Sequence, residues 1–136
     1  VESDCRNVVA DDFDGDGDQD LLVTTFEVWP AVRQTVRFLD NNLPSTGHWI
    51  EIQPRSATGQ PSVIGTTVRL RDKSGWQVRT LVTGAGYRSQ AGFVASFGLG
   101  DVTEVEQVEV HWPGGLISRT NRLATDRRHI ITPPVP

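Results

Sequence analysis

Apolar and polar residues alternate with a period of two along most of this chain, and that alternation predicts strands. Thr67–Arg71 sets Val68 and Leu70 against Thr67, Arg69 and Arg71. Gln77–Thr83 sets Val78, Thr80 and Val82 against Gln77, Arg79 and Leu81. His48–Ile52 places Trp49 on one face and Ile50 and Ile52 on the other, while Gln34–Leu39 puts Val36 and Phe38 together. Further runs cover Asn7–Ala10, Leu21–Phe26, Phe93–Phe97, Val105–Trp112 and His129–Thr132. Turn signals separate them at Asn41-Asn42, Thr58-Gly59, Ser74-Gly75, Gly84 to Gly86, Gly98 to Gly100 and Pro113-Gly114-Gly115. No stretch sustains a 3.6-residue period with caps, so helix is expected to be minor. Short strands joined by tight turns predict an all-β fold, an antiparallel β-sandwich or barrel-like domain with an N-terminal hairpin around an acidic loop.

Length and charge narrow this picture. A chain of 136 residues suits one domain, with room for an appended motif. No apolar run approaches the roughly 18 residues of a membrane span, so none is expected. The chain starts at Val1 without a charged-then-apolar leader and reads as a mature or excised piece. Its net charge of −4 is unevenly spread, because residues 1–20 carry eight acids against Arg6 alone. The remainder has nine acids and twelve bases, eleven of them Arg, scattered along strands. A local acid cluster beside a near-neutral body points to a cation and away from nucleic acid. Cys5 stands alone, which excludes an intrachain disulfide; it reads as a small buried hydrophobe, with a link to another chain as the alternative.

The acid cluster has a specific form. Asp12-Phe13-Asp14-Gly15-Asp16-Gly17-Asp18-Gln19-Asp20 follows D-x-D-x-D-G-x-x-D. Calcium takes six to eight hard oxygens at about 2.3–2.6 Å, and a nine-residue loop can wrap it with alternate side chains. In this register Asp12, Asp14 and Asp16 supply carboxylates, Asp18 its backbone carbonyl, and Asp20 closes the loop. Gly17 takes the sixth position, where a sharp turn is needed. A start at Asp14 would put Gln19 there instead, so Asp12 is the better origin. An EF-hand would need Glu at the twelfth position, where Val23 stands, and helices where the flanks are β-rich. Ca2+ is therefore the expected cofactor, and magnesium fits less well because it demands strict octahedral geometry.

Val8-Val9-Ala10-Asp11 through Asp20-Leu21-Leu22-Val23 resembles one FG-GAP (VCBS-type) repeat, the blade unit of β-propellers in integrin-like and bacterial secreted proteins. The remainder resembles the ASPIC/UnbV domain of cartilage-acidic-protein-like extracellular proteins. The matching pieces are Gly47-His48-Trp49-Ile50, Ile64-Gly65-Thr66-Thr67-Val68, Gly84-Ala85-Gly86-Tyr87-Arg88-Ser89-Gln90, Phe97-Gly98-Leu99-Gly100 and Val108-Glu109-Val110-His111-Trp112-Pro113-Gly114-Gly115. They span roughly residues 47–120 in order. The expected organisation is a calcium-binding β segment at 1–46, an ASPIC/UnbV-like domain at 47–132 and a proline-rich tail at 133–136. The resemblance implies a secreted or cell-surface, non-catalytic module. A lone propeller repeat cannot bury its faces alone; it must pack on the C-terminal domain or be completed by another chain, and the second option makes assembly with copies of itself or other surface proteins by strand addition the leading expectation. A carbohydrate-binding or adhesive accessory domain is the alternative, with Trp76 as the exposed aromatic. No enzyme is expected, since Ser89 and Ser96 lack a nucleophile context and His48, His111 and His129 lack ligand spacing.

Overall fold

The computed structural model describes residues 4–29, 31–44, 47–56, 64–84, 86 and 89–134. Among these, ten strands form and no helix does: β1 (Cys5–Asp11), β2 (Asp20–Glu27), β3 (Arg33–Leu39), β4 (His48–Pro54), β5 (Thr67–Asp72), β6 (Gly75–Thr80), β7 (Ala95–Gly100), β8 (Glu104–His111), β9 (Ile117–Ala124) and β10 (Arg127–Ile131). The chain divides into two compact units, Val1–Ser45 with Thr83–Gly92, and Thr46–Val82 with Phe93–Pro136. The Thr58-Gly59 turn, part of the Gly84–Gln90 motif and residues 135–136 of the tail lie outside the described residues.

The second unit is a sandwich of two sheets, ordered β10-β4-β7 and β6-β5-β8-β9. Separate open sheets settle the choice between sandwich and barrel. Alternation is strongest where both neighbours are strands: Ile50 and Ile52 on β4, Val68 and Leu70 on β5, and Val108 and Val110 on β8 are fully buried. Phe97 and Leu99 from β7, Ile131 from β10 and Trp112 complete one core. Each such side chain contributes about 1.5–3 kcal/mol by leaving water. Trp112 also keeps its polar handle, since its indole N–H donates to Ser118 Oγ at 2.9 Å. One pairing departs from the antiparallel expectation. β10 runs parallel to β4, from Arg127 opposite Ile50 to Ile131 opposite Pro54.

Strand β6 breaks the inside-outside rule. Its register places Arg79 opposite Val68 and Gln77 opposite Leu70, on the core side, while Trp76 and Val78 pair with Arg71 and Arg69 outside. The inward polar groups are satisfied at the neighbouring sheet edge: Gln77 Nε2 donates to the Gly98 carbonyl at 3.2 Å, and Arg79 lies over the Phe97 ring.

The first unit is an antiparallel meander, β1-β2-β3. Val9, Leu22 and Phe38 share one row, and Val8 pairs with Val23 on the opposite face. This sheet has no buried apolar layer of its own: every residue of β3 is exposed, and Val8, Leu21, Val36, Phe38 and Leu39 all face solvent. Its buried residues are the polar Asp12, Asp20 and Thr25. Cys5 is exposed on the edge strand β1, which corrects the expectation of a buried hydrophobe. Ser89 Oγ donates to Asn7 Oδ1 at 2.7 Å and the Gly92 N–H to Asp11 Oδ2 at 3.2 Å, tying the second segment of this unit to β1.

Candidate metal centre

Strands β1 and β2 pair from Val8–Val23 through to Asp11–Asp20, so the hairpin ends where the acidic loop begins. The loop is folded by its own carboxylates. Asp12 Oδ1 accepts the Gly15 N–H at 2.7 Å and Oδ2 the Gly17 N–H at 3.1 Å. Asp14 Oδ1 accepts from Asp16 N–H, and Asp16 Oδ1 from Asp18 N–H, a chain of Asx turns. Gly15 and Gly17 both hold positive φ, 86° and 98°, so each turn needs glycine. Asp20 anchors the base: it is 1% exposed, and its oxygens accept the N–H groups of Phe13 at 3.1 Å and Asn41 at 3.0 Å. Phe13 lies edge-on to Phe38, with ring centres 5.9 Å apart.

Asp12, Asp14 and Asp20 each bring one carboxylate oxygen to within 4.8 Å of the others. Ligands bonded at about 2.3–2.6 Å to one calcium ion lie no more than about 5 Å apart, so this trio has the right span. Asp16 and Asp18 of the expected set stand outside it. The Asp18 Oδ1 atom is nonetheless buried and accepts no hydrogen bond. Electrostatics mark the loop as short of positive charge. The Asp16 N–H works to lower the Asp14 carboxyl, but burial and the charges of Asp16, Asp20 and Asp40 outweigh it and raise its pKa. Burial, then the charges of Asp16, Asp20, Asp14 and Asp40, raise Asp18. Hard carboxylate oxygens, closely grouped and mutually repelling, fit a divalent cation of calcium's kind.

The histidines have partners elsewhere. His48 Nδ1 lies 2.7 Å from Asp126 Oδ2, His111 Nε2 2.9 Å from Glu109 Oε2, and His129 Nε2 2.8 Å from the Ala124 carbonyl. Of the tryptophans, Trp112 is in the core, Trp49 is half-buried, Trp76 is 41% exposed and Trp29 81% exposed. Gly15 is a second turn residue at positive φ, and its place between two aspartates at alternate positions is the sequence signal for it.

A family model described as ASPIC and UnbV matches residues 56–135, more than half of the chain. The chain belongs to this family. No curated protein matches it by sequence. The ASPIC and UnbV segment takes in β5 through β10, including the parallel strand and the outward-facing Trp76. It ends beyond the residue-120 limit read from motifs, and it starts after β4, downstream of Gly47-His48-Trp49-Ile50. The aspartate loop lies outside it.

Proposed function

We propose that this ASPIC and UnbV family member is a non-catalytic, extracellular module whose N-terminal sheet is clamped by Ca2+ and assembles with copies of itself or with other surface proteins. The observation that carries this reading is the pairing of a sheet that leaves apolar residues exposed with a closely grouped carboxylate loop at its end. Three strands are marginal in water unless a hydrophobic face is covered, and here Val36, Phe38 and Leu39 of β3 stand open along a free edge. Such an edge pairs readily with another strand. The strand–loop–strand order of Cys5–Glu27 also supports assigning this segment as a single FG-GAP-type repeat.

Asp12, Asp14 and Asp20 would hold the ion, with Asp16 and the Asp18 carbonyl completing the set. The ion would supply the positive charge that lets these carboxylates converge. Asp20 and Asp12 then act as struts, tying the ion to the backbone of Phe13, Gly15, Gly17 and Asn41. Calcium binding to the folded loop alone stabilises the fold by mass action.

Thermal melting and size-exclusion chromatography with light scattering, each in calcium and in chelator, test the two halves of the proposal. Calcium is expected to raise the midpoint and to favour a species larger than one chain. An unchanged midpoint in saturating calcium sinks the clamp. A monomer in both conditions sinks self-assembly.

A further inference from the structure

Paired residues of a sheet share a face, and the outer face of β6-β5-β8-β9 gathers groups that the sandwich core does not use. One row runs Val78, Arg69, Glu109, Arg119; the next runs Trp76, Arg71, Gln107, Asn121. Trp76 holds two cations against the sheet, with the Arg69 guanidinium 4.6 Å and the Arg71 guanidinium 5.9 Å from its ring centre. Carboxylates fix them further: Glu109 takes Arg119 at 2.9 Å and Arg69 at 3.5 Å, and Glu106 takes Arg71 at 3.3 Å. A guanidinium carries five N–H donors, and these contacts use one from each arginine. All three side chains remain well exposed, at 39%, 53% and 55%.

The spacing selects the ligand. Arg69 and Arg71 are two residues apart on one strand, about 7 Å, and Arg119 lies two strands from Arg69, roughly 9–10 Å. Oriented cations repeated at these intervals on a sheet face match acidic groups repeated along a linear polymer. Gln107 and Asn121, in the row beside them, offer amides suited to sugar hydroxyls. A protein partner is a poorer fit, because covering three arginines and Glu109 would strip their water at a cost of several kcal/mol per ion. A hydrated polysaccharide leaves them wet. The attraction must be local, since the chain as a whole is at −4.

We propose that this face, centred on Arg69, Arg71 and Arg119 with Trp76 as the residue that positions the guanidinia, binds an acidic polysaccharide. It rests on the sandwich alone and is independent of the calcium loop. Affinity of the calcium-loaded chain for immobilised heparin, polygalacturonate and neutral dextran, measured at near-physiological salt, is the test. Binding to a sulfated or a carboxylated polymer, with dextran unbound, is expected, and the preferred polymer identifies the acidic group. Trp76→Ala and the Arg69→Gln/Arg119→Gln pair should each weaken binding about tenfold or more, while Trp76→Phe stays within about threefold. Arg33→Gln, an exposed charge on β3, should leave affinity unchanged, and every variant is checked for an unchanged melting midpoint. If Trp76→Ala unfolds the chain, Arg71→Gln takes its place. Equal weakening by Arg33→Gln, equal competition by polyglutamate, or no binding to either acidic polymer overturns the proposal.

Discussion

Asp20 and Asp14 belong to the same carboxylate group, yet their removal should have opposite signatures. Asp20 is 1% exposed and accepts the backbone N–H groups of Phe13 and Asn41. Asp20→Ala takes the acceptor away from both donors, whose bonds are partly buried. An orphaned buried donor costs about 1–3 kcal/mol, so the loss should be about 2–6 kcal/mol with or without calcium. Asp14 is exposed, and its one backbone acceptor contact, to Asp16, is exposed as well. Water can replace that contact, so Asp14→Ala should change stability in chelator by no more than about 0.5 kcal/mol. In calcium at about 100 times its dissociation constant, the native protein gains about 2.7 kcal/mol, and Asp14→Ala should forfeit most of that gain. Amide hydrogen exchange of β2 and urea unfolding, each run in calcium and in chelator, separate the two. If Asp20→Ala is neutral in chelator, the strut argument fails. If Asp14→Ala shows the same stability difference in both media, the clamp argument fails.

Acidification should destabilise the sandwich unit. Hydrogen bonds from His111 and then Arg119 lower the Glu109 pKa, and the His48 bond, ahead of the backbone N–H of Trp49, lowers that of Asp126. A carboxyl whose folded pKa is depressed stabilises above its unfolded pKa and loses that contribution as pH falls through the range below about 4. Urea midpoints from pH 7 to pH 3 should fall for the native chain and fall less for Glu109→Gln; parallel curves would contradict this. Phe97→Ala, at the centre of the core, should cost about 3–5 kcal/mol by urea unfolding. Gly15→Ala meets no atom within 4 Å, so its cost comes from φ +86° alone, about 1–2 kcal/mol on the melting curve of the chelated protein.

Strands that lie between two partners were legible because both chemistry and period agree there. β5 and β8 send Val68, Leu70, Val108 and Val110 into the core from alternate positions. β9 (Ile117–Ala124) gave no such signal. It is an edge strand, paired only with β8, and needs few apolar residues to hold its place. On β6 the alternation was visible but its direction was not, because Gln77 and Arg79 find their partners on β7, across the sandwich. The parallel docking of β10 depends on a strand some 75–80 residues earlier, which no local pattern encodes. In the acidic loop, spacing identified the aspartates and Gly17. It did not distinguish the buried Asp12 and Asp20, which organise the backbone, from the exposed Asp14.

The parallel pairing of β10 with β4 also sets the order in which the molecule can mature. β4 is the middle strand of its sheet, and both its partners, Ala95–Gly100 and Arg127–Ile131, come much later in the chain. During synthesis one edge of β4 waits until residue 100 has been made, and the other until residue 131. Contacts of such long sequence separation make for slow folding, on the millisecond-to-second scale. A nascent chain without β10 is therefore a species with an open strand edge, vulnerable to aggregation until β10 slots into place.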